Sequence, residues 1–280
     1  MIRPVLQDDA FLTDVDHATA TQPEALHVWW LGQSGYLVAH QGTRLLLDPY
    51  LSNSLSEKYA ATDKPHTRMT ERVVAPECLR GISLITSSHN HTDHLDALTL
   101  RPLLATNPTA QLVVPTANLA FAAERLGSST NLVGLGIGET ATLGCVQVTA
   151  VPAAHDELLP CYVGYVLKIG SWTLYHSGDT LLYPGMPEKL APFAPDIAFL
   201  PINGRLPERR VSGNLWGDEA ARLAKVIGAK RAIPCHYELF TFNTEPPDLF
   251  IQTCDTLSQP YTVLCAGERV SFPLPPSDGG

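Results

Sequence analysis

The chain has 280 residues, of which 45% are hydrophobic, and a formal net charge of −9 at pH 7. The acidic balance argues against broad binding to nucleic acid or anionic membranes, although a local basic pocket remains compatible with it. No apolar run reaches the length of a membrane span, and the first 16 residues hold no apolar core of signal-peptide length. The composition predicts a cytoplasmic protein without nucleic-acid or membrane partners.

The six cysteines are scattered along the chain, and no Cys-x-x-Cys pair occurs. This pattern indicates neither a thiolate zinc site nor a disulfide framework. Free and mostly buried thiols in a reducing cytosol are therefore expected.

In chain order, the first predicted elements are strands. Residues 27–38 read as two strands joined by a tight turn at Gly32–Gly35, and residues 43–47 as a third strand. Residues 52–78 are polar, include several basic side chains and show no period. They predict a long loop over one end of a sheet, and long loops of this kind are often functional.

The remaining elements predict two halves, each rich in strands at first and then alternating between strands and helices. Helices are expected over 97–105, 117–126, 216–227 and 247–256, and strands over 82–86, 111–114, 130–133, 140–143, 146–151, 162–169, 172–176, 197–200, 231–234, 261–265 and 269–272. This order predicts two sheets with helices on both outer faces. We expect one domain over 1–272 and a disordered tail over 273–280.

The most informative stretch is Ser-His-Asn-His-Thr-Asp-His-Leu-Asp over residues 88–96, directly after the buried strand 82–86. Its candidate ligands are His89, His91, Asp93 and His94. A strand that turns at once into a loop aims such side chains at a single point. Neutral imidazoles and carboxylates are ligands that Zn²⁺, Mn²⁺ and Fe²⁺ prefer. The density of donors suggests more than one metal.

Three further residues extend this set. His155, Asp179 and His236 each lie just past the C-terminal end of a predicted strand. Each residue by itself is more often a surface or capping residue. Their repeated placement favours one convergent site, because ligands at strand ends are held rigidly.

With these residues, the chain resembles the metallo-β-lactamase superfamily, whose motifs run His-x-His-x-Asp-His, then His, then Asp, then His. Within it, the chain is most similar to the L-ascorbate-6-phosphate lactonase-like group, through residues 29–35, 174–179 and 233–243. The resemblance implies an α+β fold, a four-layer αββα sandwich, with one or two divalent metal ions. Zn²⁺ or Mn²⁺ is expected, and Fe²⁺ is not excluded.

The resemblance also divides the ligands between two metals. They are His89, His91 and His155 for the first metal and Asp93, His94 and His236 for the second, with Asp179 as the bridge. Asp93 and Asp179 are the expected catalytic carboxylates, which handle protons. Asp48 is expected to orient a ligand histidine through its second nitrogen, with a turn residue before Pro49 as the alternative.

A divalent metal with an open position activates water, so the expected activity is hydrolysis of a small anionic ester or lactone. The candidates for binding its negative charge are Lys58, Arg68, Arg72 and Arg205. Each of these is more often a solvated surface charge. The expected partner is this small molecule, and homo-oligomerisation stays open.

Three other functions remain possible at this point. The fold also cuts phosphodiesters, although the acidic composition argues against RNA as the substrate. The di-iron oxidoreductases of the superfamily usually carry Glu where this chain has His91, whereas mononuclear-iron dioxygenases keep the His pattern. A non-catalytic scaffold usually loses ligands, and here none is lost. The histidines predicted to be ordinary surface, core or packing residues are His17, His27, His40, His66 and His176.

Overall fold

The computed structural model describes residues 1–274, and two mixed β-sheets form its centre. The helices are α1 Asp8–Thr21, α2 Ser54–Tyr59, α3 Ala97–Thr106, α4 Leu119–Leu126, α5 Met186–Leu190, α6 Gly217–Val226 and α7 Asp248–Leu257. The strands are β1 Leu26–Gly32, β2 Gly35–His40, β3 Thr43–Leu47, β4 Ile82–Thr86, β5 Gln111–Pro115, β6 Leu132–Leu135, β7 Thr140–Leu143, β8 Val146–Ala154, β9 Leu158–Ile169, β10 Trp172–His176, β11 Ile197–Pro201, β12 Arg231–Cys235 and β13 Arg269–Phe272.

The first sheet has the strand order β13-β1-β2-β3-β4-β5-β6, and the second has the order β12-β11-β10-β9-β8-β7. Strands β3 to β6 are parallel, as are β10 to β12, and the other neighbours are antiparallel. Helices α3 and α4 pack beside the first sheet, and α6 and α7 beside the second. The predicted α+β sandwich with helices on both outer faces is confirmed.

Aromatic side chains join the two sheets in the interior. The Tyr36 ring on β2 lies 4.4 Å from the Phe199 ring on β11, measured between centroids. The Tyr36 hydroxyl donates a 2.8 Å hydrogen bond to the Pro234 carbonyl on β12. Near the edge of the core, Trp30 stacks on Tyr237 at 4.3 Å. These contacts tie the strand ends that carry the candidate ligands to the opposite sheet.

Three helices were not predicted from the sequence. Helix α1 buries Phe11 and Val15 on one face, and the Trp29 indole donates to Asp14 at 2.8 Å. Helix α2 lies within the predicted loop 52–78, and α5 lies in the chain between Asp179 and His236. Each helix is short or polar overall, so tertiary packing decides its formation more than local pattern does.

The strand predicted over 261–265 is absent as a regular strand, since only Tyr261 forms an isolated bridge, with Ala232. Strands β8 and β9 are longer than predicted and pair as far as Ala154 and Leu158. His155 therefore lies in the turn of a hairpin, which is a rigid position. Of the tail predicted to be disordered over 273–280, residues 275–280 lie outside the described residues.

The six cysteines are free, as predicted, but Cys78, Cys145 and Cys265 are exposed rather than buried. Cys235 is the buried last residue of β12, and burial raises the pKa of its thiol well above the ordinary value. Within residues 1–274, no helix combines the length and apolar character needed to cross a membrane.

Tyr36 allows a test of the contact between the sheets. Tyr36→Phe should lower the free energy of unfolding by roughly 1–2 kcal/mol, because the buried carbonyl of Pro234 loses its donor while the ring packing is kept. Tyr36→Ala should cost roughly 3–5 kcal/mol, because it also leaves a cavity. Chemical denaturation of both variants measures this order, and equal losses would contradict it.

Candidate metal centre

The seven predicted ligands converge at the ends of strands from both sheets. The loop after β4 carries the His-x-His-x-Asp-His motif, the β8–β9 turn carries His155, and Asp179 and His236 follow β10 and β12. Their donor atoms form two groups, and within each group they lie within 4.8 Å of one another. The groups are His89, His91 and His155, and Asp93, His94, Asp179 and His236.

Asp179 lies between the two groups. Its Oδ2 atom is 3.7 Å from His155 Nε2 and 3.4 Å from His236 Nε2, and its Oδ1 atom is 3.4 Å from His94 Nε2. This is the position that a bridging carboxylate requires. The assignment of particular ligands to two metals stays a prediction.

The residues fit a divalent cation. His89 Nε2, His94 Nε2 and Asp179 Oδ1 are buried and have no hydrogen-bond partner in the described part of the chain. Buried polar atoms without a partner are costly, so groups of them at one point call for a ligand. The mixture of imidazole nitrogens and carboxylate oxygens suits Zn²⁺, Mn²⁺ and Fe²⁺ alike.

Asp48 makes the contact that was predicted for it. This carboxylate is fully buried, and its Oδ2 atom lies 2.7 Å from His94 Nδ1. It also accepts hydrogen bonds from the Ser88 amide, the Ser88 hydroxyl and the Thr86 hydroxyl. Burial opposes its ionisation, but the His176 and His94 imidazoles outweigh this and lower its pKa. Asp48 thereby fixes the tautomer of His94 that leaves Nε2 free for a metal.

A glycine permits the close contact between the first motif and the loop of Asp179. Gly178 has a φ of 59°, and a Cβ atom there would lie 2.5 Å from Ser88 Cβ and 2.8 Å from the Val163 carbonyl oxygen. Any side chain would therefore push the loop that follows β10 away from the loop that follows β4.

Gln33 is a site residue that sequence reasoning missed, since it was read only as part of a tight turn. Its side-chain amide donates to Asp93 Oδ2 at 2.8 Å, and its nitrogen lies 2.9 Å from His236 Nε2. The Gln33 carbonyl accepts from the His236 amide at 2.9 Å. Its φ of 52° is the signal of a demanding backbone position, which the sequence does not show.

The two ligand groups differ in charge. Burial and the neighbouring histidines hold the pKa of His89 well below its ordinary value, so this ring is neutral. Burial also lowers the pKa of His236, but the Asp179 and Asp93 carboxylates outweigh it and raise this pKa to about 9. The carboxylate-rich group therefore attracts positive charge, as a cation site does.

A cavity of about 570 Å³ opens over the ligands. Its basic lining residues are Lys58, Lys64 and Arg125, and its aromatic ones are Tyr59, Phe121, Tyr162, Phe240 and Phe242. Arg125 donates to the Asn90 and Leu95 carbonyls, so it supports the motif loop. Lys64 donates to the Arg210 carbonyl at 2.5 Å, whereas Lys58 is exposed and has its ammonium group over the Tyr59 ring.

The three arginines predicted to bind substrate do not line this cavity, so the prediction that they lie at the site is wrong. Arg68 donates to the Ser52 and Thr70 carbonyls, and with Arg72 it lines a separate cavity. Arg205 forms two hydrogen bonds with Glu219, at 2.6 and 2.7 Å. The sequence identifies basic side chains near the site but not the direction in which each one points.

Of the five histidines predicted to be ordinary, His17 is exposed. His27, His40 and His176 are buried and belong to neither ligand group, although His176 lies close enough to Asp48 to lower its pKa. His66 differs, because it lines the cavity over the ligands.

Comparison with known proteins agrees with this geometry. A family described as the beta-lactamase superfamily domain matches residues 43–237, which include the seven candidate ligands. The chain belongs to this superfamily. A relative from Caldivirga maquilingensis, named as a UPF0173 metal-dependent hydrolase, is 28% identical over 88% of this chain and 97% of its own length.

Solved structures of the superfamily fold are also similar. The isothiocyanate hydrolase from Delia radicum gut bacteria has a TM-score of 0.72 at 17% identity, over 88% of this chain and 99% of that one. CmlA, a diiron beta-hydroxylase from Streptomyces venezuelae, has a TM-score of 0.68 at 18% identity, over 95% of this chain and 61% of that one. At these identities the likeness shows the fold alone. The likeness to the lactonase-like group stays a prediction.

The role of Asp48 is testable by Asp48→Asn. Asn tolerates the φ of 38° found at this position, but it lacks the charge that holds His94. Metal affinity should fall by roughly 10–100-fold, measured by chelator competition and metal analysis. Asp16→Asn on the surface of α1 is the control and should bind metal like the wild type. Unchanged affinity in Asp48→Asn would contradict the orienting role.

Proposed function

We propose that the chain is a metal-dependent hydrolase that acts on a small anionic ester or lactone. The observation that carries this proposal is the convergence of two donor groups on Asp179 beneath an open cavity. The Caldivirga relative that is named as a metal-dependent hydrolase supports the same class of activity. A bound divalent cation supplies Lewis acidity, which polarises the attacked carbonyl and makes water more acidic.

The protein's own side chains prepare this chemistry by orientation. Asp48 and Ser88 hold His94 in one tautomer, and Gln33 holds one oxygen of Asp93. Asp179 places negative charge between the two groups, where it balances bound cations. The ligands therefore need little rearrangement during a reaction, which is how preorganised sites lower barriers.

The substrate class follows from the charges around the cavity. The carboxylates lie with the ligand groups, whereas Lys58 and Lys64 lie in the cavity wall. Lys58 is exposed, and its ammonium group lies 5.0 Å from the centre of the Tyr59 ring. A small carboxylate or phosphate fits near these lysines while its ester or lactone bond faces the ligand groups.

Two alternatives have specific support. The same lysines suit a phosphodiester, so a phosphodiesterase is the second candidate. The fold likeness to the diiron beta-hydroxylase and the donor set keep iron chemistry as the third. Metal analysis of protein purified without a chelating tag separates the metals. Assays with lactones, phosphodiesters and oxygen consumption separate the reactions, and oxygen consumption with stoichiometric iron would overturn the hydrolase proposal.

Asp179→Asn should lower the rate of hydrolysis by roughly 100-fold or more while leaving the fold intact, because a neutral amide would not compensate the charge of two cations. Turnover, metal content and circular dichroism are measured on the same preparation. Wild-type protein stripped with a chelator should lose activity and regain it when metal is restored. Near-wild-type turnover in Asp179→Asn, with full metal content, would show that this residue is not the bridge.

The lysines are tested with the double variant Lys58→Gln, Lys64→Gln. KM should rise roughly tenfold for an anionic ester, because a charge-assisted contact is lost, and should change little for a neutral ester of the same alcohol. Arg72→Ala is the matched control, since Arg72 lines the separate cavity. Equal rises in KM for both esters would remove the anion-binding role.

A further inference from the structure

His66 is held rigidly in the cavity wall by a segment far along the chain. The Met69 amide donates to the Leu239 carbonyl at 2.7 Å, and the Thr241 amide donates to the Thr67 carbonyl at 2.9 Å. The backbone directly after His66 is therefore paired with residues 239–241, which follow the candidate ligand His236 by a few positions. Both His66 and His236 line the cavity.

The imidazole of His66 is enclosed by aromatic rings. It stacks on Tyr59 with ring centres 4.6 Å apart and an angle of 28° between the planes. It also contacts the ring edges of Phe240 and Phe242, with ring centres at 5.3 and 5.1 Å. Such packing restricts the ring to one orientation, as a group that acts on a bound molecule requires.

The hydrogen bonding of His66 identifies its free nitrogen. Nδ1 lies 2.9 Å from the Lys64 carbonyl oxygen, which can only accept, so Nδ1 carries the proton of the neutral ring. Nε2 then has an unshared lone pair, and it makes no hydrogen bond to any residue between 1 and 274. Burial lowers the pKa of His66, although the Lys64 carbonyl and the Asp93 charge oppose this. The ring is thus a neutral base at pH 7.

We infer that His66 is a catalytic residue that transfers a proton through Nε2 in the hydrolase proposed above, on which this inference rests. As water adds to the carbonyl carbon, Nε2 accepts one proton from that water. As the bond from this carbon to the leaving oxygen breaks, the imidazolium gives its proton to that oxygen and becomes neutral again. The Lys64 carbonyl stabilises the imidazolium between the two steps, in the manner of an orienting partner.

The charge distribution of the cavity agrees with this division of labour. Members of both ligand groups, His66 and the lysines Lys58 and Lys64 all line this cavity. An anionic substrate held by these lysines brings its ester oxygen near His66.

The test compares His66→Asn and His66→Phe with wild type on para-nitrophenyl, phenyl and ethyl monoesters of succinic acid. Asn can still donate to the Lys64 carbonyl, and Phe keeps the aromatic packing, but neither transfers a proton. Both variants should lose roughly 100-fold in kcat/KM on the ethyl ester, whose leaving group needs a proton. They should lose less, roughly tenfold, on the para-nitrophenyl ester, because this ester still needs the proton transfer from water although its leaving group needs no proton.

His17→Asn, on the exposed face of α1, is the control and should match wild type on all three esters. Metal content is measured for every protein. An equal loss on the three esters, or no loss, with full metal content would overturn the role of His66 while leaving the hydrolase proposal intact. Wild-type protein with full metal content that hydrolyses none of the esters would overturn the ester hydrolase proposal, and the inference with it.

A second readout does not depend on turnover. Nitrogen-15 NMR of protein labelled at histidine, with the His66 signals assigned from the spectrum of His66→Asn, reports the protonation of each ring nitrogen. At pH 7 we expect a neutral ring with the proton on Nδ1. A proton on Nε2 in the neutral ring would overturn the inference, because such a ring cannot accept a proton at that atom.

Discussion

The buried carboxylate of Asp48 is the constraint on which the site depends. A charge in the interior is tolerated only when donors surround it, and here the backbone and hydroxyl of Ser88, the hydroxyl of Thr86 and the ring of His94 do so. These donors belong to the end of β4 and the loop that follows it, whereas Asp48 follows β3. Satisfying one charge therefore fixes the start of the motif loop and the tautomer of one ligand. Ser88 also lies against Gly178, so the position of Ser88 constrains the loop that follows β10 and carries Asp179.

The site contains both residues with a strained backbone and buried polar atoms without a partner in the described residues. Asp48, Gln33 and His236 all have positive φ values, in a region that residues other than glycine adopt reluctantly. Each is held there by specific contacts, such as the hydrogen bond from the His236 amide to the Gln33 carbonyl. The surrounding sheets thus hold in place a centre in which His89 Nε2, His94 Nε2 and Asp179 Oδ1 lack hydrogen-bond partners within the described residues. Metal binding relieves this cost and couples stability to the cation.

The cavity separates opposite charges in a protein that is acidic overall. Carboxylates lie with the ligand groups, and Lys58 and Lys64 belong to the wall that includes α2. The same wall carries His66 between aromatic rings. This wall includes residues of α2, His66 and the stretch after His236, none of which belongs to the two sheets. Substrate choice in this superfamily member is therefore expected to depend on these loops, since the sheets already determine the ligand geometry.

The sequence by itself determined the candidate ligand set and the class of fold. The spacing of the first motif and the placement of His155, Asp179 and His236 after strands are local patterns, and strand ends at one sheet edge converge whatever the loops do. Tertiary structure alone decided which side chains complete the site. The Arg68 side chain donates to the Ser52 and Thr70 carbonyls and does not line the cavity over the ligands, whereas His66, two residues earlier, does. Residues 67–69 pair with residues 239–241, and a contact between such distant segments leaves no periodic signal in either one.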